Sequence, residues 1–319
     1  MLTSQDLARE AAATGFPMES LEKVIRLMEL LEALRSHPFL KERIALKGGT
    51  ALNLFVFDVP RLSVDIDLNY IGAVDRETML AERPKAEAAI QAACERVALR
   101  VRYVPDEHAG GKWRLSFTGV TGRDVTLELD LNFLLRTPLW PPVVADSHPV
   151  GAFAAKGVPV LDVHELAAGK LAALFARSAS RDLFDARQLL RDATLDGPLL
   201  RLAFVVYGGA NRRDWRTISV NDIALDVADV ERQLVPMLRA DVAPEFGKAA
   251  EWTERLVADC RTLVATLLPL NSQEMEFLTR LNDRGEIASH LLTSDPVMEA
   301  IINSHPALLW KALNVRGKT

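Results

Sequence analysis

The sequence predicts an α+β protein in two parts: a mixed sheet of about five strands within residues 1–145, followed by a helical domain over 146–319. Three observations lead there. Short apolar stretches with strand-like alternation recur between residues 44 and 133. A proline-rich segment, "RTPLWPPVVADSHPVG" (136–151), follows them and is expected to cross to the second part. From residue 162 onward, apolar positions recur at helical spacing nearly to the end. A chain of 319 residues is long enough for two domains of about 150 residues each.

The elements follow in order. In "PMESLEKVIRLMELLEALR" (17–35), Leu21, Val24, Ile25, Met28, Leu31 and Leu34 fall on one helical stripe. "RIALKGGTALNLFVF" then gives a short strand at 44–46, a tight turn at Gly48 and Gly49, and a helix over 50–57. "LSVDIDLNYIG" predicts a second strand, and a largely helical segment containing Pro84 comes after it. Three more strands are expected at 99–104, 113–118 and 124–133, the last two joined by the hairpin-type turn "GVTGR". In the second part, "DVHELAAGKLAALFAR" and "RDLFDARQLLRD" predict two helices split by "SAS". Ser180 is expected to cap the second, with Asp182 in its first turn, where its charge suits the helix dipole. "GG" at 208–209 and "NSQ" at 271–273 mark further expected breaks.

Composition excludes several classes. With 49% hydrophobic and 25% charged residues, the chain can bury an ordinary globular core. Its two cysteines, Cys94 and Cys260, stand far apart and outside any Cys/His cluster, which argues against a disulfide framework and a zinc site and for a reducing, cytoplasmic setting. No apolar run approaches ~18 residues, so no membrane span is expected, and "MLTSQDLARE" lacks the pattern of a signal peptide. The formal net charge of −5 is not the footprint of a nucleic-acid binder. Local basic stretches remain, "NRRDWR" (211–216) and "RSASRD" (177–182), although such runs are commonly solvated loops.

The chemistry concentrates in "RLSVDIDLNY" (61–70). Asp65 and Asp67, two apart on a strand, point to one face, where their charges repel. A hard divalent cation such as Mg²⁺ would offset that repulsion, since it takes oxygen ligands and commonly binds one or two carboxylates together with substrate phosphates. An exposed edge strand with both aspartates in water is the plainer alternative. "TLELDLNF" places Glu128 and Asp130 on one strand face, and either could add a third carboxylate to a two-metal site if the two strands are neighbours. "KGGT" (47–50) offers backbone N–H groups that could approach a phosphate closely.

A glycine turn, a helix, a strand carrying Asp-x-Asp and a later acidic strand together resemble the layout of the polymerase-β-like nucleotidyltransferase superfamily. More closely, "LKGGTALNLF", "RLSVDIDLNY", "LELDLNFLLRTPLW", "ELAAGKLAALFARSASRDLFDARQL" and "HPALLWKALNV" resemble the AbiEii/AbiGii-type (MenT-like) nucleotidyltransferase toxins of bacterial toxin–antitoxin systems. The resemblance spans residues 46–315 and implies an Mg²⁺-dependent transfer of a nucleotide from a nucleoside triphosphate (NTP) to the 3′ end of tRNA, blocking translation. It implies that Asp65, Asp67 and Asp130 hold metal, with Glu128 competing for the third place. Lys170 would neutralise triphosphate charge and Arg177 would assist. Asp185 would be the helical-domain aspartate of the catalytic cleft, with Arg181 and Asp182 in the same motif. Gly48, Gly49 and Ser63 would touch phosphate groups, Thr50 would do so or cap the helix, and Asn132 would brace the acidic strand. The turn carries Gly49-Thr50 where many polymerase-β-like enzymes carry Gly-Ser.

Three functions stay open at this point. The first is a tRNA-directed transferase, with "NRRDWR" contacting phosphates and Trp215 stacking on a base. The second keeps the site but uses a protein or small-molecule acceptor. The third is a nucleotide-binding interaction protein without turnover. The resemblance also implies a cognate antitoxin with a winged-helix DNA-binding domain, for which Ser63 is a candidate modification site.

Overall fold

A computed structural model describes residues 2–105 and 109–317. The chain divides into two compact units. The first comprises Met1–Arg136, Pro141–Leu161 and Val235–Ala243, and the second Thr137–Trp140, Asp162–Leu234 and Pro244–Thr319.

The first unit opens with helices α1 (Ser4–Thr14) and α2 (Met18–Ser36). Thr3 caps α1 in a reciprocal box with Asp6, and the stripe Leu21, Val24, Ile25, Met28, Leu31 and Leu34 is buried throughout. Strand β1 (Ile44–Lys47) leads directly into α3 (Gly48–Ala51), which widens into a π-turn over Leu52–Val56. The glycine pair is therefore the first turn of the helix rather than a separate turn before it. After β2 (Asp65–Tyr70) come α4 (Arg76–Arg96), which contains Pro84, then β3 (Arg100–Tyr103), β4 (Gly110–Thr118) and β5 (Asp124–Asn132).

The sheet has seven strands, not about five. The two additions are β6 (Val143–Ala145) and β7 (Val158–Val160), which flank a proline-containing segment and carry the sheet past residue 145. Strand order is β3-β4-β5-β2-β1-β7-β6. The β2–β5 and β1–β7 pairs are parallel and the other four antiparallel, so the sheet is mixed. One face is apolar: Ile44 and Leu46, Ile66, Leu68 and Tyr70, Leu127, Leu129 and Leu131, and Trp113, Leu115 and Phe117 are all buried. The alternation that buries them places Lys47, Asp65, Asp67, Lys112, Glu128 and Asp130 on the opposite face.

The second unit is helical: α5 (Val163–Arg177), α6 (Ser180–Asp192), α7 (Gly197–Ala210), the single turn α8 (Val227–Asp229), α9 (Ala249–Val264), α10 (Ser272–Thr279), α11 (Pro296–Ser304) and α12 (Pro306–Arg316). Two local expectations are corrected. Ala179, not Ser180, is the N-cap of α6, and the Ser180 N–H donates to the Asp229 carboxylate at 2.9 Å. Gly208 and Gly209 lie inside α7 rather than at a break, because a Cβ on Gly208 would stand 2.1 Å from the indole nitrogen of Trp215. Asn271 does start α10, in a capping box with Glu274. Cys94 and Cys260 are free, buried thiols in α4 and α9, and burial pushes both up to about 12. Among the described residues no helix is long and apolar enough to cross a membrane.

Candidate active site

Pairing with β5 on one side and β1 on the other makes β2 an interior strand, not the exposed edge of the plainer alternative. The parallel β2–β5 register sets Asp65 opposite Glu128 and Asp67 opposite Asp130. Four carboxylates thus form two adjacent rows on the polar face. The second row is closed at both ends by lysine, since Lys47 of β1 faces Asp67 and Lys112 of β4 faces Asp130. Neither lysine was singled out from the sequence. A residue's cross-sheet neighbour is set by register between distant segments, and local spacing does not reveal it.

The four carboxylates are not equivalent. All four residues are half-buried, but their partners differ. Burial raises the Asp130 carboxyl above the ordinary range, Lys47 and Lys112 oppose that, and Asp67 and Glu128 reinforce it. Glu128 is instead tied to Lys112 Nζ at 2.6 Å in an open part of the face. At the end of β5 the Asn132 side chain accepts from the N–H groups of Leu134 and Leu135 at 2.9 and 2.7 Å, fixing the chain as it leaves the acidic strand.

The glycine pair is fitted to this face. Gly48 has φ +72°, and a Cβ there would fall 2.0 Å from an Asp67 carboxylate oxygen. A Cβ on Gly49 would stand 2.9 Å from Ser63 Oγ and 3.0 Å from the Arg61 guanidinium. Arg61 and Ser63 are both buried, and Arg61 donates to the Leu62 carbonyl at 2.8 Å. Thr50 is fully buried within the first helical turn, and its hydroxyl donates to the Asp65 carbonyl, so it anchors α3 to β2 instead of capping the helix.

Residues for a divalent cation are of the right kind. The donors are hard oxygens on neighbouring strands, and Gly48 leaves the Asp67 carboxylate the space it occupies. One row along the same face, the buried Asn69 Oδ1 has no hydrogen-bond partner among the described residues. As placed, no three His, Cys, Asp or Glu side chains among the described residues gather around one point.

The second unit holds its own cluster. Lys170 Nζ on α5 lies 2.9 Å from Asp182 and 3.0 Å from Asp185, both on α6. The three side chains are 8%, 2% and 0% exposed. Arg177, at the end of α5, donates to both Asp182 oxygens, at 2.5 and 3.0 Å. Burial by itself would raise the Asp182 carboxyl, but Lys170 and Arg177 outweigh it and hold the group at about 2. The near neighbour Arg181 is half-buried, and its charge acts on Asp229.

The basic loop differs from expectation. Trp215 is fully buried, 5.5 Å from the Phe175 ring and 5.1 Å from that of Phe204, so it offers no face for a base. Arg213 is bound to Asp222 and to the Phe175 carbonyl, and Arg216 to Asp214 and Asp283. Only Arg212 of the three arginines is exposed.

No protein of curated function matches the sequence. Among solved structures the chain is similar to MenT4, a nucleotidyltransferase toxin from Mycobacterium tuberculosis H37Rv, with a TM-score of 0.58 and 21% identity over 97% of this chain and 99% of that one, which shows a shared fold. The model of one family, described as nucleotidyl transferase AbiEii toxin of type IV toxin–antitoxin systems, matches residues 29–310. Covering most of the sequence, including both rows of carboxylates and the Lys170 cluster, that match makes this chain a member of the AbiEii nucleotidyltransferase toxin family.

Proposed function

We propose that the protein transfers a nucleotide from a nucleoside triphosphate to the 3′ end of tRNA and thereby blocks translation in the cytoplasm. The observation that carries the chemistry is the β2–β5 register, which sets Asp65, Asp67 and Asp130 side by side next to the glycine turn. The 3′ hydroxyl oxygen forms the new bond to the α-phosphorus, the bond to the bridging oxygen breaks, and pyrophosphate leaves. Asp130, raised by burial, takes the hydroxyl proton. Glu128 is spoken for by Lys112, which favours Asp130 as the third carboxylate. Asp65, Asp67 and Asp130 are the residues that would hold Mg²⁺, which when bound offsets charge on the phosphates and the departing pyrophosphate. Gly48 and Gly49 bring backbone N–H groups to the phosphates, and Lys47 adds a positive charge beside Asp67. Thr50 and Ser63 position the turn. Lys170 and Arg177 are assigned to triphosphate charge, held in place by Asp182 and Asp185 with Arg181 alongside, on the strength of their shared motif. The antitoxin partner that the family implies is proposed to carry a winged-helix DNA-binding domain.

A labelling assay tests this reading. Purified protein is incubated with Mg²⁺, each α-labelled triphosphate in turn, and total tRNA, beside an Asp67→Ala control. Label on tRNA that depends on Asp67 is the expected result. Asp67-dependent label on protein instead would replace the acceptor, and no label with any acceptor would remove the catalytic reading.

A further inference from the structure

The polar face does not end at the carboxylates. Toward its β3 edge lies a cavity of about 520 Å³ lined by Tyr103, Gly111, Lys112, Arg114 and Glu128. Register ties it to the acidic rows: Arg114 faces Glu128, which faces Asp65, and Lys112 faces Asp130, which faces Asp67.

Tyr103 reaches this face because of a break in pairing. Val101 is opposite Leu115, and uninterrupted pairing would put Tyr103 opposite Trp113, on the buried side. A bulge shifts the register so that Tyr103 is opposite Arg114. Bulges of this kind re-aim side chains and recur beside active sites. The ring is left 47% exposed, with the Arg114 guanidinium 6.0 Å from its centre. An open aromatic ring with flanking Arg and Lys is the combination that binds single-stranded nucleic acid, the ring stacking on a base and the cations meeting phosphate.

Two nucleotides could present a base here, the incoming triphosphate or the acceptor's last residue. Strand order decides between them. The glycine turn assigned to the triphosphate follows β1, on one side of the β2–β5 carboxylates, whereas Tyr103 and Arg114 lie on β3 and β4, on the other. In an in-line displacement the attacking oxygen and the leaving pyrophosphate lie on opposite sides of the phosphorus. With pyrophosphate departing on the β1 side, the attacking hydroxyl enters from the β4 side.

We propose that the pocket formed by Tyr103, Arg114 and Lys112 seats the 3′-terminal nucleotide of the acceptor RNA, its base stacked on Tyr103 and its phosphate met by Arg114, while Lys112 stays paired with Glu128. This rests on the reading of the protein as an RNA-directed nucleotidyltransferase, and the test separates the two claims.

Wild-type protein is first assayed for tRNA labelling, and Asp67→Asn protein for binding of an RNA hairpin with a short single-stranded 3′ overhang against the same hairpin with a blunt end. Tyr103→Ala and Arg114→Ala should each raise KM for tRNA about tenfold or more while KM for the triphosphate stays unchanged, and Tyr103→Phe should restore the wild-type value. In the Asp67→Asn background, the alanine substitutions should weaken binding of the overhang hairpin and not of the blunt one. A changed triphosphate KM with unchanged tRNA KM overturns the proposal in favour of the incoming base. Wild-type labelling of tRNA with no effect of either alanine variant overturns the pocket assignment alone. If the wild-type protein labels no tRNA and the Asp67→Asn protein binds neither hairpin, the RNA-directed reading is overturned, and the pocket assignment falls with it.

Discussion

Gly48 shows how narrow the tolerance of the acidic face is. Its φ of +72° already disfavours any L side chain, and the first atom of one would lie 2.0 Å from an Asp67 oxygen. Gly48→Ala must therefore push Asp67 aside or move the start of α3. Misplacement of about 1 Å is enough to cost on the order of 100-fold in rate. We expect Gly48→Ala to lower nucleotide transfer at least that much with the circular dichroism spectrum retained; near-normal activity would mean that Asp67 needs no fixed position. The third carboxylate can be resolved at the same scale. Asp130 sits beside Asp67 and is raised by burial, while Glu128 is paired with Lys112. Asp130→Asn should cost roughly 100-fold or more in kcat, as loss of a general base does, and Glu128→Gln far less. The reverse order would transfer the role to Glu128. Lys47 and Lys112 were invisible as site residues in the sequence because each owes its place to a neighbour on another strand. Asp65 and Asp67 were visible because strand alternation alone fixes that they share a face.

Between elements, the α5–α6 junction is held by a buried ionic cluster. Lys170 serves two carboxylates that are almost wholly removed from water, and Arg177 adds a second cation to Asp182. Removing one partner from so buried an ionic cluster costs about 3–5 kcal/mol. Lys170→Met should accordingly lower stability to urea by that order. Lys170→Met with Asp182→Asn and Asp185→Asn should recover a good part of it, without recovering activity. Failure of the triple variant to recover would show that the lysine stem, not its charge, holds the two helices. Elements were legible where periodicity was sustained: α2, the acidic strands and the β4–β5 hairpin lie close to where the sequence places them. The shortfalls have separate causes. β6 and β7 are three residues each, too short to display alternation, and Val143 and Val144 are exposed. Gly208 looked like a helix break, but Trp215 fills the space its missing side chain leaves. The arginines of "NRRDWR" looked available for RNA, yet two of them meet Asp222 and Asp283, carboxylates that lie outside the loop.

For the molecule as a whole, two buried carboxylates give stability opposite dependences on pH. Asp182 is held at about 2 against an ordinary 3.8, so it contributes stability above pH 3.8 that is lost as pH falls through about 2. That contribution is about 2 kcal/mol. Glu165 works the other way. Burial, only partly offset by the N–H groups of Leu139 and Trp140 and by the Tyr207 hydroxyl, raises it from 4.5 to about 7. Its protonated form is the one the fold prefers, so its contribution is complete below pH 4.5 and lost as pH rises through about 7, amounting to about 3 kcal/mol. Both groups lie in the second unit, as do Trp140, Trp215, Trp252 and Trp310, four of the five tryptophans. Tryptophan fluorescence during urea unfolding therefore reports chiefly on the unit in which the two titrations occur. Stability should be greatest near pH 4, decline below it, and decline again between about pH 5 and pH 8. Glu165→Gln cannot ionise and keeps an oxygen for the Tyr207 hydroxyl, which donates to Glu165 at 2.9 Å. It should remove the decline above pH 5 and leave the acid limb in place, making the variant more stable than the wild type at about pH 8 and nearly equal to it at about pH 4. If the variant declines above pH 5 as steeply as the wild type, the loss belongs to other groups and the Glu165 carboxyl is not held protonated by its burial.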